Sequence, residues 1–413
     1  MTRYIVEKGP VRVMFSSLRD ASRFYEASPL VGIEGEEKGD RIVFKVRLAD
    51  NILNHVLVIS GINYTVGFPL ELARGVDIET RAKLYSSGLR EEWWFVAASV
   101  LGSEADNLDE LLEVLADLEA VIHEGAEPSK VRLATLREEL EKIVEAYPEF
   151  NATWDSFLEK RRKRLSRETF RLLEKALRNC YKHFYEMYWE GKDLYKKYWG
   201  KGRGEELREL SAKLKKAVDI MQPLKTLEDT VGWRFKADEL KVFPVDVFRT
   251  GGGIFNTYPD RIVCRASPLA VLGIHLDIAH EAGHLLIHDW KIKYADKVRE
   301  LAKDIEYSDA FRLAGAIEEH IVALIQFKVD LKYYGEKRIT HGFMGNRVFN
   351  LADEAWREVE DRHGRLVFDE FIELLLEKLA VDKEAKQTLL KHVQIFTIEE
   401  QSIPLATHSL RIL

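Results

Sequence analysis

Within the run HLDIAHEAGHLLIHDW, residues His280, Glu281 and His284 form an HExxH pattern. On a helix, positions i and i+4 lie one turn apart on one face, so the two imidazoles can grip a single cation. Glu281, next to the first histidine, is placed to reach a cation-bound water rather than the cation. Two neutral imidazoles and a carboxylate base make a division of labour suited to zinc and to hydrolysis. The competing reading has both histidines merely satisfied inside a buried helix. It must find partners for two imidazoles and a carboxylate in apolar surroundings, which is costly.

A catalytic zinc keeps three protein ligands and one open position. His288 lies four residues after His284, but three histidines at 0, +4 and +8 span ~12 Å of helix axis, too far for one ion. It reads as a packing or outer residue. A better third ligand stands on the next long helical segment, SDAFRLAGAIEEHIVALIQF. The helical neighbours of Glu318 are Phe311, Ala314, Gly315, Ile321, Val322 and Ile325, so its carboxylate needs an ion pair or a cation. Glu319 shares its line with Arg312 and Gln326, which reads as a solvated edge. Glu318 is therefore preferred to Glu319, with a pair of ordinary ion pairs as the remaining alternative.

The elements that must position these groups can be read from the pattern. Residues 1–102 read as an N-terminal α/β domain, with strands at Val11 to Phe15, Arg41 to Arg47 and His55 to Ile59 and a helix after Ser17. Asn63 to Phe68 reads as a further strand. Residues 103–230 read as a helical bundle or insert; Leu108, Leu111, Leu112, Leu115 and Leu118 form one stripe. In NCYKHFYEMYWEGKDLYKKYW, aromatics alternate with lysines, a pattern that base stacking can use. Yet Tyr181, Phe184, Tyr185, Tyr188 and Trp189 keep helical spacing, so a buried face is the preferred reading.

Residues 231–413 read as a domain of strands followed by helices. LKVFPVDVF, GGGIFN and DRIVCRA supply the strands, and a helix starts at Ser267-Pro268 and carries the histidines. Further helices are expected over Asp309 to Tyr333, Ala352 to His363, Phe368 to Leu379 and Glu384 to Phe396. The expected class is α+β, mainly helical. Gly251 to Asn256 is a candidate sheet edge for pairing with an extended peptide. His341 and the tyrosines at 258, 333 and 334 are candidates for stabilising an oxyanion. Asp277, one turn before His280, is a candidate for orienting a ligand.

HEAGH followed by a glutamate on a downstream helix resembles the gluzincin branch of the zincin metallopeptidases. The run HEAGHLLIH is similar to the HExGHxxxH style of the compact ImmA/IrrE-like peptidases. A more distant likeness joins it to thimet-type oligopeptidases and carboxypeptidases, which share HExGH within mostly helical folds. The resemblance covers about Val245 to Phe327. It implies a zincin-like metal domain, Zn²⁺ bound by His280, His284 and Glu318, Glu281 polarising water, and a peptide or protein substrate. The rival class is a regulator or scaffold that keeps the metal fold but has little peptidase activity.

Composition sets the outer limits. The 413 residues are 46% hydrophobic and 10% aromatic, enough for a substantial core. The 62 basic and 69 acidic residues give −7, which argues against a dedicated nucleic-acid partner. Charged residues reach 32%, with only 9 Asn and 5 Gln, a balance expected of a heat-adapted protein. Two cysteines are too few for a disulfide framework. No apolar run approaches the ~18 residues of a membrane helix, and MTRYIVEKGPVRVMF lacks the pattern of a signal peptide. A cytoplasmic protein with no membrane partner is expected; the oligomeric state is left open.

Overall fold

The computed structural model describes residues 3–8, 11–15, 30–62, 75–130, 133–150, 153–192, 201–246, 256–257, 259–266, 270–335 and 345–402. The expected helix after Ser17, the strand at Asn63 to Phe68, the helix start at Ser267-Pro268, and Gly251 to Phe255, Tyr258 and His341 lie outside them. The architecture is mainly helical α+β.

In chain order, strands β1 (Arg3–Lys8), β2 (Val11–Phe15), β3 (Leu30–Glu34) and β4 (Ile42–Phe44) come first. Helices α1 (Leu48–Ile59), α2 (Ile78–Ser86), α3 (Leu89–Gly102), α4 (Leu108–Glu124), α5 (Leu133–Ala146), α6 (Trp154–Arg164) and α7 (Arg167–His183) follow. A π-helical turn, Phe184–Trp189, extends α7 and buries Phe184, Tyr188 and Trp189 of the aromatic stretch. Helices α8 (Arg203–Met221) and α9 (Pro223–Val231) lead to β5 (Leu240–Val245), β6 (Asn256–Thr257) and β7 (Arg261–Arg265). The remainder is helical: α10 (Ala270–Ile287), the short α11 (Trp290–Lys293), α12 (Ala295–Asp304), α13 (Ala310–Tyr334), α14 (Arg347–His363), α15 (Phe368–Val381) and α16 (Lys383–Ser402).

Local chemistry sets many of these boundaries. The side chains of Asn107, Thr153, Ser166, Asp309 and Asn346 each accept a backbone N–H in the first turn of their helix. Gly125, Gly335 and Gly364 end α4, α13 and α14 in the left-handed region, where a side chain is disfavoured. The leucine stripe of α4 faces inward as its spacing predicts, with Leu108, Leu111, Leu115 and Leu118 buried.

Two expectations change. His55 to Ile59 is the end of helix α1, not a strand. Ala49, Ile52, Leu53, Val56 and Leu57 recur at helical spacing and are fully buried, and that period outweighs the β-branched residues among them. The strands after Trp233 do not make a sheet by themselves, because β4 from the expected N-terminal domain joins them. The sheet order is β4-β5-β7-β6, with β4, β5 and β7 parallel and β6 antiparallel at the edge. The other sheet, β2-β1-β3, is antiparallel.

The buried apolar residues gather in two main cores. Helices α1–α4, α6, α7 and the π-helical turn share one core. A larger core joins Ile42 of β4, strands β5 and β7, and α8–α10 with α12–α16. Helix α5 serves both: Leu133 packs in the first, while Ile143, Ala146 and the following Tyr147 pack against the second. The second core holds the antiparallel helices α10 and α13, the scaffold of the site.

Candidate metal centre

Helix α10 carries His280, Glu281 and His284 on consecutive turns, as the HExxH spacing requires. The His280 and His284 rings stand edge to face, 5.1 Å apart between centroids. Opposite them, α13 presents Glu319. One ligand atom from each of His280, His284 and Glu319 lies within 4.8 Å of the others, the one such group of three among the described residues. His284 Nε2 is 3.6 Å from Glu319 Oε1, and His280 Nε2 is 3.9 Å from Glu319 Oε2.

The third corner is thus Glu319 and not the expected Glu318. The helical projection misplaced it because α13 has no solvated edge here: Gln326, which had marked that edge, is buried like Glu319 itself. Glu318 stands behind His284 instead. Its Oε1 accepts from His284 Nδ1–H at 2.8 Å. Its Oε2 accepts from Trp290 Nε1–H at 3.1 Å and from the Lys291 ammonium at 2.7 Å. The carboxylate expected to need a cation has one, a lysine. No sequence rule short of the tertiary packing points to Lys291.

These residues suit a divalent ion. Zinc bonds of ~2.0–2.2 Å at tetrahedral angles set neighbouring ligand atoms ~3.4 Å apart, close to the two separations just given. His284 Nε2 and Glu319 Oε2 are buried and make no hydrogen bond among the described residues. Such atoms are expensive unless something binds them. Charge points the same way: Lys291 offsets Glu318, leaving Glu319 and Glu281 as two carboxylates for a doubly charged ion.

The protonation pattern follows from this crowding. Burial alone would lower His284, but the Glu319 carboxylate, the hydrogen bond to Glu318 and the charge of Glu281 hold it up at about 9. Burial pushes Glu319 up; His284 pulls it back, and Glu318 and Glu281 push it again, leaving about 8. For Glu318, burial is outweighed by Lys291 and then by His284, which bring it down to about 2. The apoprotein therefore holds protons where a cation would sit.

The other expected residues fall as follows. His288 lies outside the cluster, its Nε2 3.7 Å from Glu139 Oε1 on α5, and burial lowers it to about 4. Asp277 is half-buried on α10, ahead of His280. Tyr333 donates to Met221 O and Thr226 Oγ1, each at 3.1 Å. It and Tyr334 stand fourteen and fifteen residues beyond Glu319, ~21 Å along the helix, which places both away from the site. His320, next to Glu319, turns the other way: Nδ1 bonds to Ala316 O at 2.8 Å and Nε2 to Asn346 Nδ2 at 3.0 Å.

Searches against protein-family models, curated proteins and solved structures return no match to this chain.

Proposed function

We propose that the protein is a zinc-dependent peptidase whose ion is held by His280, His284 and Glu319. The observation that carries this reading is the meeting of those three side chains with a fourth, Glu281, buried beside them and outside the ligand group. A structural site needs no such base. A bound zinc ion would supply Lewis acidity, acidifying a water and stabilising charge on the carbonyl oxygen of a peptide. Glu281 takes the proton of the attacking water and passes it to the leaving amine. Glu318 keeps the proton of His284 on Nδ1, so that Nε2 offers its lone pair.

In this reading residues 231–413 form a zincin-like domain, although β4 from the N-terminal part completes its sheet. Both cysteines are free and buried, which suits a reducing compartment, and the reading places the protein in the cytoplasm. Among the described residues no helix is long and apolar enough to cross a membrane.

One observation favours a second reading, a metal-binding scaffold. His280, Glu281, His284 and Glu319 are only 8, 4, 5 and 4% exposed. The zinc-loaded protein should be incubated with a diverse peptide pool at elevated temperature and the products read by mass spectrometry. Cleavage abolished by chelation and restored by zinc supports the peptidase. A fully loaded protein that cuts nothing leaves the scaffold.

A further inference from the structure

Lys291 is a buried cation with an unusual set of neighbours. It lies on α11, its Nζ 5.7 Å from the centroid of the Phe311 ring and 2.7 Å from Glu318 Oε2. Its own carbonyl accepts from the Tyr147 hydroxyl at 2.7 Å. Tyr147 directly follows α5, one of the helices that pack in both cores. The fully buried Trp290 adds its indole N–H to the same glutamate oxygen.

Glu318 has three side-chain torsions, and the last is broad. Ammonium and indole groups donate and never accept, so Lys291 and Trp290 can hold Oε2 only as an acceptor. With that oxygen fixed, Oε1 is aimed at His284 Nδ1. The imidazole of His284 also has a broad final torsion, and its ring direction is set by the bond at Nδ1. The order of dependence therefore runs from Tyr147 to Lys291, to Glu318, to His284.

On the reading that His280, His284 and Glu319 hold zinc, we propose that Lys291 is a positioning residue for that site. By pinning Glu318, it keeps the His284 ring turned so that Nε2 faces the ion. Trp290 alone supplies a hydrogen bond but no charge, and one neutral donor leaves a buried carboxylate free to rotate towards other partners.

The test is metal binding by full-length apoprotein. Zn²⁺ affinity is measured by competition with a chromophoric chelator, and Co²⁺ coordination by visible absorption. Lys291→Met keeps the methylene stem and removes the charge; its Zn²⁺ affinity should fall on the order of 10–100-fold, with an altered Co²⁺ spectrum. Lys291→Arg should recover much of both. If Lys291 acts through Glu318, adding Lys291→Met to Glu318→Gln should cost little more than Glu318→Gln alone. Wild-type affinity and spectrum in Lys291→Met overturn the proposal, as does an undiminished loss in the Glu318→Gln background.

Should Lys291→Met not fold, Lys291→Gln and Tyr147→Phe decide the matter. The Co²⁺ spectrum should shift in both, and two unmoved spectra overturn the proposal. Wild-type protein that binds no divalent ion sinks the zinc reading and this inference with it. Wild-type binding with an indifferent Lys291 sinks this inference alone.

Discussion

Glu318 and Glu319 reach the same histidine from opposite sides. Glu318 Oε1 lies 2.8 Å from His284 Nδ1, and Glu319 Oε1 lies 3.6 Å from His284 Nε2. Adjacent residues on one helix thus take different tasks, one behind the imidazole and one in front of it. The short contact is a hydrogen bond; the long one leaves room for an ion between the two atoms.

Substitution should separate those tasks. Glu319→Ala should nearly abolish divalent binding, since it removes one of the three proposed ligands. Glu318→Gln keeps an acceptor for His284 and should weaken binding by only about 10–100-fold. Isothermal titration of each apoprotein with Zn²⁺ measures both. Tight binding by Glu319→Ala, with none by Glu318→Gln, would reverse the assignment.

Binding should also release protons. The carboxylates around His284 hold it up at about 9, so at pH 7 the apoprotein keeps protons on the His284–Glu319 pair. An incoming ion must displace those protons at pH 7, and few once the pH is well above 9. Affinity should therefore climb with pH and level off beyond 9. For stability the sign is the same for both groups. Each has a folded value above its ordinary one, so apoprotein stability falls as pH rises, through Glu319 up to about 8 and through His284 up to about 9. Zinc-loaded protein should lack this decline. Titrations in buffers of different ionisation enthalpy count the protons, and equal heats in all of them would contradict the account.

Glu281→Gln separates chemistry from binding. The amide keeps the size of the carboxylate but cannot take a proton. Zinc content and melting temperature should stay near wild type, while peptide cleavage drops ~10²-fold or more. Turnover equal to wild type removes Glu281 as the base.

A second polar pair tests the packing of α10 on α13. His275 and Asp330 are 0 and 1% exposed, with Nε2 and Oδ1 3.6 Å apart. None of their side-chain polar atoms makes a hydrogen bond among the described residues. His275→Leu alone removes the imidazole that packs on the Tyr333 and Tyr334 rings, leaves the buried Asp330 carboxylate without it, and should cost ~3–5 kcal/mol. Combining His275→Leu with Asp330→Leu should restore wild-type stability or exceed it by ~1–4 kcal/mol. Urea unfolding of the wild type and the two variants decides; a double variant less stable than wild type would show that the pair is net stabilising.

Much of this site can be read from the residues, and the limit has a physical cause. The HExxH spacing places three of its groups on α10 because helical geometry is local. The long helix α13 announces itself by its apolar run and by the Asp309 and Gly335 that bound it. Which of two adjacent glutamates faces the histidines is a question of phase. Phase is readable only when one side of a helix meets solvent, and the middle of α13 is buried all round. Lys291 and Tyr147 lie equally beyond local pattern, since their contacts join separate elements. His55 to Ile59 shows the opposite failure: a five-residue window hides a period that all of α1 displays.

The parallel pairing of Ile42–Phe44 with Leu240–Val242 has a consequence for how the chain folds. About two hundred residues must be looped out before those strands can meet. Such remote pairing is slow, because the entropy of closing the loop is lost before the contact rewards it. Collapse of the intervening helices shortens the effective loop, so the helical core should form before the sheet closes. A fragment beginning at residue 231 would keep every proposed zinc ligand yet leave one side of β5 without its neighbour. Its unpaired backbone groups would offer a template for other chains, and aggregation would follow. Strand β4 thus acts as a built-in cover for a sheet edge that the part carrying the histidines cannot protect by itself.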